Sequence, residues 1–243
     1  MQGQQNVLLM KNMIVASTST VHGASYLEYL LPALESMFEQ VDTITFIPYA
    51  RPGGISEDAY TEVAAKGLSP LGKKVVGLHT YEDPVEGLKN AEAVFTGGGN
   101  TFLLVTKLYG EGVMEVLREK IYSGMPYLGT SAGSNITGLS MQTTNDMPII
   151  YPPSFKTLGA IPFNLNPHYL DPVEGSTHMG ETRETRIKEF HTLNRIPVVG
   201  LREGSWLEVK GDNIVLRGPL TARIFEQGKD AWELEPGAGV NLS

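Results

Sequence analysis

Residues 128–135, L-G-T-S-A-G-S-N, constrain this chain more than any other stretch. The short apolar run 126–128 predicts the end of a buried strand, and a helical pattern resumes around Asn135. Only small residues, Gly129 to Gly133, lie between. A strand-to-helix turn this tight pushes its central serine, Ser131, out of the sheet on strained backbone, and only small neighbours permit the bend. The pattern is a G-x-S-A-G version of the G-x-S-x-G turn that exposes a nucleophile. The bend also aims the Ala132 amide and the start of a helix at the space beside the hydroxyl, which suits an oxyanion. An ordinary strand–helix loop with a capping serine would use the same residues, so the chemistry depends on what else the chain supplies.

What surrounds this turn is an alternation of strands and helices. Apolar runs at 13–16, 43–47, 75–78, 93–96 and 126–128 predict strands. Helical spacing covers 26–40 with Pro32 as a kink, 56–68 with Ser56 as cap, a helix opening at Asp83-Pro84, 101–109 and 113–123. Such alternation builds βαβ units, hence an α/β fold of three layers: a doubly wound, mostly parallel sheet between helices. Beyond Asn135, residues 143–167 are rich in Pro, Asn and Thr, with a strand expected at 160–165. An amphipathic helix over 182–194, a strand at 198–201 and a hairpin of 206–210 with 213–217 around Gly211-Asp212 follow. With no repeat and no linker, residues 1–243 read as a single domain behind a disordered lead-in at 1–6.

Composition narrows the function. A net charge of -8 without a basic block argues against nucleic acid or anionic membranes as partners, while small acidic ligands need only a local arginine. The chain has no cysteine, which removes disulfides, thiolate metal sites and a cysteine nucleophile. Histidine spacings of metal-binding type are missing, so metal binding is poorly supported. The apolar run 7–10 is too short for a signal peptide and Lys11 interrupts it; no stretch reaches membrane-spanning length, so a cytoplasmic protein is expected.

Several residues outside the turn are candidates for chemistry. Gly97-Gly98-Gly99-Asn100 follows a predicted strand at the edge where open α/β sheets bind ligands. Its amides suit either a phosphate cradle or the second donor of an oxyanion hole; the spacing of a phosphate loop is missing. Five histidines are available as a base. His79 and His191 sit in structural or surface positions, and His22 and His178 lie in loops without a partner in view. His168, in N-P-H-Y, stands after a predicted strand on extended backbone that would present an imidazole. Asp146 and Glu203 are loop carboxylates at element ends, able to orient a base or to serve only as turn residues. Arg183 opens a helix, where an unpaired cation is disfavoured, so it either pairs with neighbouring glutamates or serves an anionic ligand.

Taken together, F-T-G-G-G-N-T-F, G-T-S-A-G-S-N, T-T-N-D-M-P-I, N-P-H, G-E-T-R-E-x-R-I and G-L-x-E-G-x-W, in this order, resemble the peptidase E family of cytoplasmic serine peptidases, the α-aspartyl dipeptidases. The resemblance runs from about Met13 into the 220s. It implies a fold similar to class I glutamine amidotransferases, with serine in place of their cysteine, and hydrolysis of short peptides with N-terminal aspartate, without metal or cofactor. By the same resemblance Ser131 is the nucleophile and His168 the base. Gly98 or Gly99 and Ala132 are oxyanion donors, Arg183 and Asn100 substrate contacts. Both Asp146 and Glu203 match motifs of the third triad member; the strand end before Glu203 favours it there, leaving Asp146 to meet the substrate ammonium. The partner implied is a small acidic peptide, bound by a monomer or homodimer. The competing readings are a non-catalytic binder of acidic ligands on the same fold and a cyanophycinase-like exopeptidase.

Overall fold

A computed structural model describes residues 10–172 and 180–242. In chain order it runs β1 (Asn12–Ala16), α1 (Leu31–Met37), β2 (Thr43–Ile47), α2 (Glu57–Leu68), β3 (Lys74–Gly77), α3 (Pro84–Lys89), β4 (Ala93–Thr96), α4 (Thr101–Gly110), α5 (Met114–Tyr122), β5 (Pro126–Thr130) and α6 (Ala132–Asn135). It continues with β6 (Asn164–Pro167), α7 (Arg183–Leu193), β7 (Val198–Leu201), β8 (Trp206–Lys210), β9 (Asn213–Arg217), β10 (Ala222–Phe225) and β11 (Trp232–Leu234).

The larger sheet has seven strands in the order β3-β2-β4-β5-β1-β8-β9. Its first five strands are parallel, and β8 and β9 add an antiparallel edge. Side chains alternate between two apolar layers, as a strand's period of two requires. Met13 and Val15 of β1 join Leu104 and Val105 of α4 and Leu117 of α5 on one face. Ile14 and Ala16 join Leu34 of α1 and Tyr60 and Ala64 of α2 on the other. This is the expected three-layer α/β arrangement. A sheet covered on both faces explains why β4 is buried along its whole length.

A second sheet, β11-β10-β7-β6, was not foreseen. Its Leu165, Val199, Leu201 and Ile224 belong to the same apolar cluster as Met13 and Val15. Its two parallel strands, β6 and β7, run side by side and end together at Pro167 and Leu201.

Three local expectations need correction. Pro32 lies in the first turn of α1 and starts that helix instead of kinking it, since a proline there forfeits no helical hydrogen bond. The strand expected at 160–165 lies later, at β6, where pairing with β7 overrides the weak strand preference of Asn and Pro. The helix α7 is not broadly amphipathic: it buries only Ile187 and His191 and is otherwise lined by ion pairs such as Lys188 with Glu184. Among the described residues no helix is long and apolar enough to cross a membrane.

Candidate active site

Ser131 stands at the carboxyl end of β5 with φ 53° and ψ -111°. The surrounding glycines explain how the chain tolerates this. A Cβ on Gly133 would lie 2.2 Å from the Thr96 carbonyl oxygen, and one on Gly129 would lie 2.6 Å from the Gly133 oxygen. Only bare backbone fits, so α6 can start directly above the strand ends. Tyr127 donates to the Gly133 carbonyl at 2.7 Å, and the Ser131 amide donates to Ala16 at 3.1 Å. The amides of Ser134 and Asn135 return to the Ser131 carbonyl. The Ala132 amide, at the start of α6, has no partner among the described residues, as expected of a first-turn N–H.

The glycine loop lies against Ser131. A Cβ on Gly98 would lie 2.9 Å from Ser131 Cβ and 3.5 Å from its Oγ. The loop is pinned at both ends: Gly97 N–H donates to Ile47 and Asn100 N–H to Ala50. Gly99 has φ 144°, and a side chain there would meet the Ala50 oxygen at 2.3 Å. The Gly98 and Gly99 amides have no acceptor among the described residues. Three unengaged donors, Gly98, Gly99 and Ala132, therefore border Ser131.

His168 and Glu203 follow β6 and β7, the paired parallel strands of the second sheet. Their common end brings the two side chains together: His168 Nδ1 lies 2.6 Å from Glu203 Oε1. On the other side of the ring, His168 Nε2 lies 2.9 Å from Ser131 Oγ. Buried Ser17, just past β1, steadies both segments; its Oγ accepts from the His168 amide at 2.9 Å and donates to the Leu201 carbonyl at 2.7 Å. Sequence reasoning passed over Ser17, although it opens the S-T-S-T that follows the first strand.

Asp146 takes no part in that line. Its Oδ2 accepts from the Thr101 amide at 2.7 Å, the Thr101 hydroxyl at 2.6 Å and the Thr144 hydroxyl at 3.0 Å, while its Oδ1 is unengaged among the described residues. Asp146 nevertheless lines one small cleft together with Ser131, Ala132, Asn135 and His168. Asn100 has a structural task beside the cleft: its Oδ1 caps α4 at Leu103 N–H, and its Nδ2 donates to the Met147 carbonyl.

Arg183 is the first residue of α7, half-buried, and its neighbouring glutamates pair elsewhere: Glu184 with Lys188 and Arg223, Glu181 with Arg186. Among the described residues the guanidinium has no ion-pair partner. Burial holds its pKa below the usual arginine value, nearby Arg186 adds to this, and the Asp146 carboxylate opposes them.

The remaining histidines are separate from this cluster. His79 pairs with exposed Asp58, His191 bonds the Ile196 carbonyl and His22 is exposed. His178 lies outside the described residues. Chemically, the line Ser131–His168–Glu203 is an arrangement of hydroxyl, imidazole and carboxylate that can supply a nucleophile, a base to take its proton, and an anchor for the base's tautomer.

Residues 13–217 match the profile of Peptidase family S51. "Peptidase E" of Streptomyces coelicolor is 47% identical over 95% of this chain and 93% of its own. A Drosophila melanogaster protein named "Probable alpha-aspartyl dipeptidase" is 44% identical over 96% of this chain and 97% of its own. The crystal structure of a peptidase from an acI-B1 actinobacterium shares the fold at 16% identity, with a TM-score of 0.72 over 97% of this chain and 98% of that one.

Proposed function

The chain belongs to peptidase family S51, and on that footing we propose that it is a serine dipeptidase that hydrolyses Asp-X dipeptides through an acyl-enzyme. The observation that carries this reading is the continuous hydrogen-bonded line from Ser131 Oγ through His168 to Glu203. The acidic specificity draws on the Drosophila relative's name and on the unpaired cation of Arg183.

In the reaction, His168 Nε2 takes the Ser131 proton as Oγ forms a bond to the scissile carbonyl carbon. Glu203 accepts from the Nδ1–H and stabilises the imidazolium. The new oxyanion receives the Ala132 amide and one from the glycine loop; such donors are each worth about 3 kcal/mol in a dry, preorganised site. Collapse breaks the C–N bond, and His168 delivers its proton to the departing amine. Water, deprotonated by the same ring, then attacks the ester; the acyl C–Oγ bond breaks, His168 returns the proton to Ser131 Oγ, and aspartate leaves. Arg183 receives the substrate β-carboxylate, and Asp146, through its unengaged Oδ1, meets the α-ammonium. A cytoplasmic location fits a small peptide substrate.

The test pairs covalent labelling with a substrate panel. A phosphonofluoridate should modify Ser131 alone, and Asp-X dipeptides should be cleaved ahead of Glu-X and of aspartate-containing polymers. Failure to label would return the protein to the class of acidic-ligand binders; preference for the polymer would make it an exopeptidase of the cyanophycinase kind.

A further inference from the structure

We infer that Tyr60 is a positioning residue for the oxyanion hole, its hydroxyl turning the Gly98–Gly99 peptide so that the Gly99 amide faces the reacting carbonyl. The inference rests on the reading of Ser131 as nucleophile.

Tyr60 sits on α2, a layer away from the site, and is only 2% exposed. Its hydroxyl donates to the Gly98 carbonyl at 3.0 Å. In a trans peptide the C=O and the following N–H point in opposite directions. Holding the Gly98 oxygen toward α2 therefore turns the Gly99 N–H away from α2. Gly98 itself packs on Ser131, within 2.9 Å of the serine Cβ for a side chain built there. The amide pointing away from Tyr60 is one of the two loop amides without an acceptor among the described residues.

The surroundings hold the phenol at this task. A Cβ on Gly97 would lie 2.6 Å from the Tyr60 hydroxyl, so this glycine leaves the space through which the hydroxyl reaches the loop. The ring is braced edge-on by Phe46 at 5.0 Å and covered by the Arg51 guanidinium at 4.8 Å. Packing alone would be met by phenylalanine; the hydroxyl adds one directed bond. That bond also polarises the peptide unit, making its N–H a stronger donor to developing negative charge.

Tyr60→Phe keeps the ring and deletes the bond. For Asp-X dipeptides, kcat should fall about tenfold with KM within about twofold, because the loss is felt only once the oxyanion forms. A second readout separates orientation from general loosening. An oxyanion hole built for oxygen discriminates against the larger, weaker acceptor sulfur. The rate ratio between an aspartyl ester and its thionoester should therefore shrink in Tyr60→Phe. Unchanged kcat and an unchanged oxygen-to-sulfur ratio would overturn the inference, as would a KM effect at constant kcat. If Tyr60→Phe does not fold, 3-fluorotyrosine at position 60, assayed below its own pKa, supplies a stronger donor of nearly the same shape. It should raise kcat, and no change would overturn the role. Ser131→Ala run alongside keeps the two readings apart: an active Ser131→Ala removes the nucleophile assignment itself, whereas a dead one beside a wild-type-like Tyr60→Phe removes only the role of Tyr60.

Discussion

Ser131 and His168 share an uncommon positive φ, 53° at each, and their side chains meet at 2.9 Å. Among the described residues only Leu27, at φ 61°, joins them as a non-glycine residue with positive φ. Both strained residues are held by neighbours at the end of β1: the Ser131 amide donates to the Ala16 carbonyl, and the His168 amide donates to the Ser17 hydroxyl. One strand end thus fixes Ser131 and His168 relative to each other, although they come from different sheets. Strain of this kind costs about 1–3 kcal/mol per residue and persists only where surrounding structure over-determines it.

That strain is measurable at Ser131. Ser131→Ala should abolish turnover, with kcat lower by a factor of about 10⁴–10⁶, and keep the strain. Ser131→Gly should be equally inactive but relieve the strain, and melt about 2–4 °C higher than Ser131→Ala. Equal melting temperatures would show that the elbow stores no strain at this residue.

Glu203 and Asp146 should separate kinetically. Glu203→Gln misorients the imidazole, and kcat should fall by up to about 10⁴ on every substrate. Asp146→Asn keeps an oxygen for Thr101 and Thr144 but loses the charge facing the cleft. It should damage Asp-X hydrolysis and spare an N-acetylated or activated-ester substrate. If Asp146→Asn depresses all substrates equally while Glu203→Gln stays near wild type, the roles are exchanged.

Much of this was legible in the chain because local signals agreed with the fold. β2, β4, β7 and the β8–β9 hairpin occupy the residues that their apolar patterns predict, and Ser56 and Asp83 cap helices as their positions imply. The second sheet was harder to read. β10 and β11 are short, and β6 is Asn-Leu-Asn-Pro, which forms a strand only because β7 pairs with it. The choice of acid depends on that same pairing. Glu203 lies 35 residues from His168, and only adjacent strand ends bring it to Nδ1. At Asn100 a local signal sufficed: an Asn before Thr-Phe-Leu-Leu is a helix-cap signature, and its side chain does cap α4.

Arg183 makes a sharp prediction about specificity. If its guanidinium holds the substrate β-carboxylate, Arg183→Met should lower kcat/KM for Asp-X by a factor of about 30 or more, as for a lost charged hydrogen bond. The matching Asn-X substrate should lose far less. Equal losses on both would make the half-buried arginine structural, and the acidic preference would need another source.

A final prediction concerns acid stability around Glu203. Arg202, which precedes Glu203, forks onto Asp171 at 2.8 and 2.7 Å, and its Nη1 reaches Glu233 at 2.8 Å and the Thr221 carbonyl at 2.9 Å. Asp171 follows His168 by three residues, so this clamp ties the base's segment to the acid's. Burial by itself pushes the Glu233 pKa up, but hydrogen bonds from Arg202, Thr221 and Arg223 outweigh it and hold the carboxyl at about 2, below its ordinary 4.5. A folded pKa below the unfolded one gives stability that is complete above 4.5 and lost as pH falls toward about 2. Wild-type melting temperature should therefore drop across that window. Glu233→Gln, which has no charge to lose, should start lower at neutral pH, fall less steeply, and meet the wild-type curve near pH 2. Two parallel curves would place the acid sensitivity in other carboxylates.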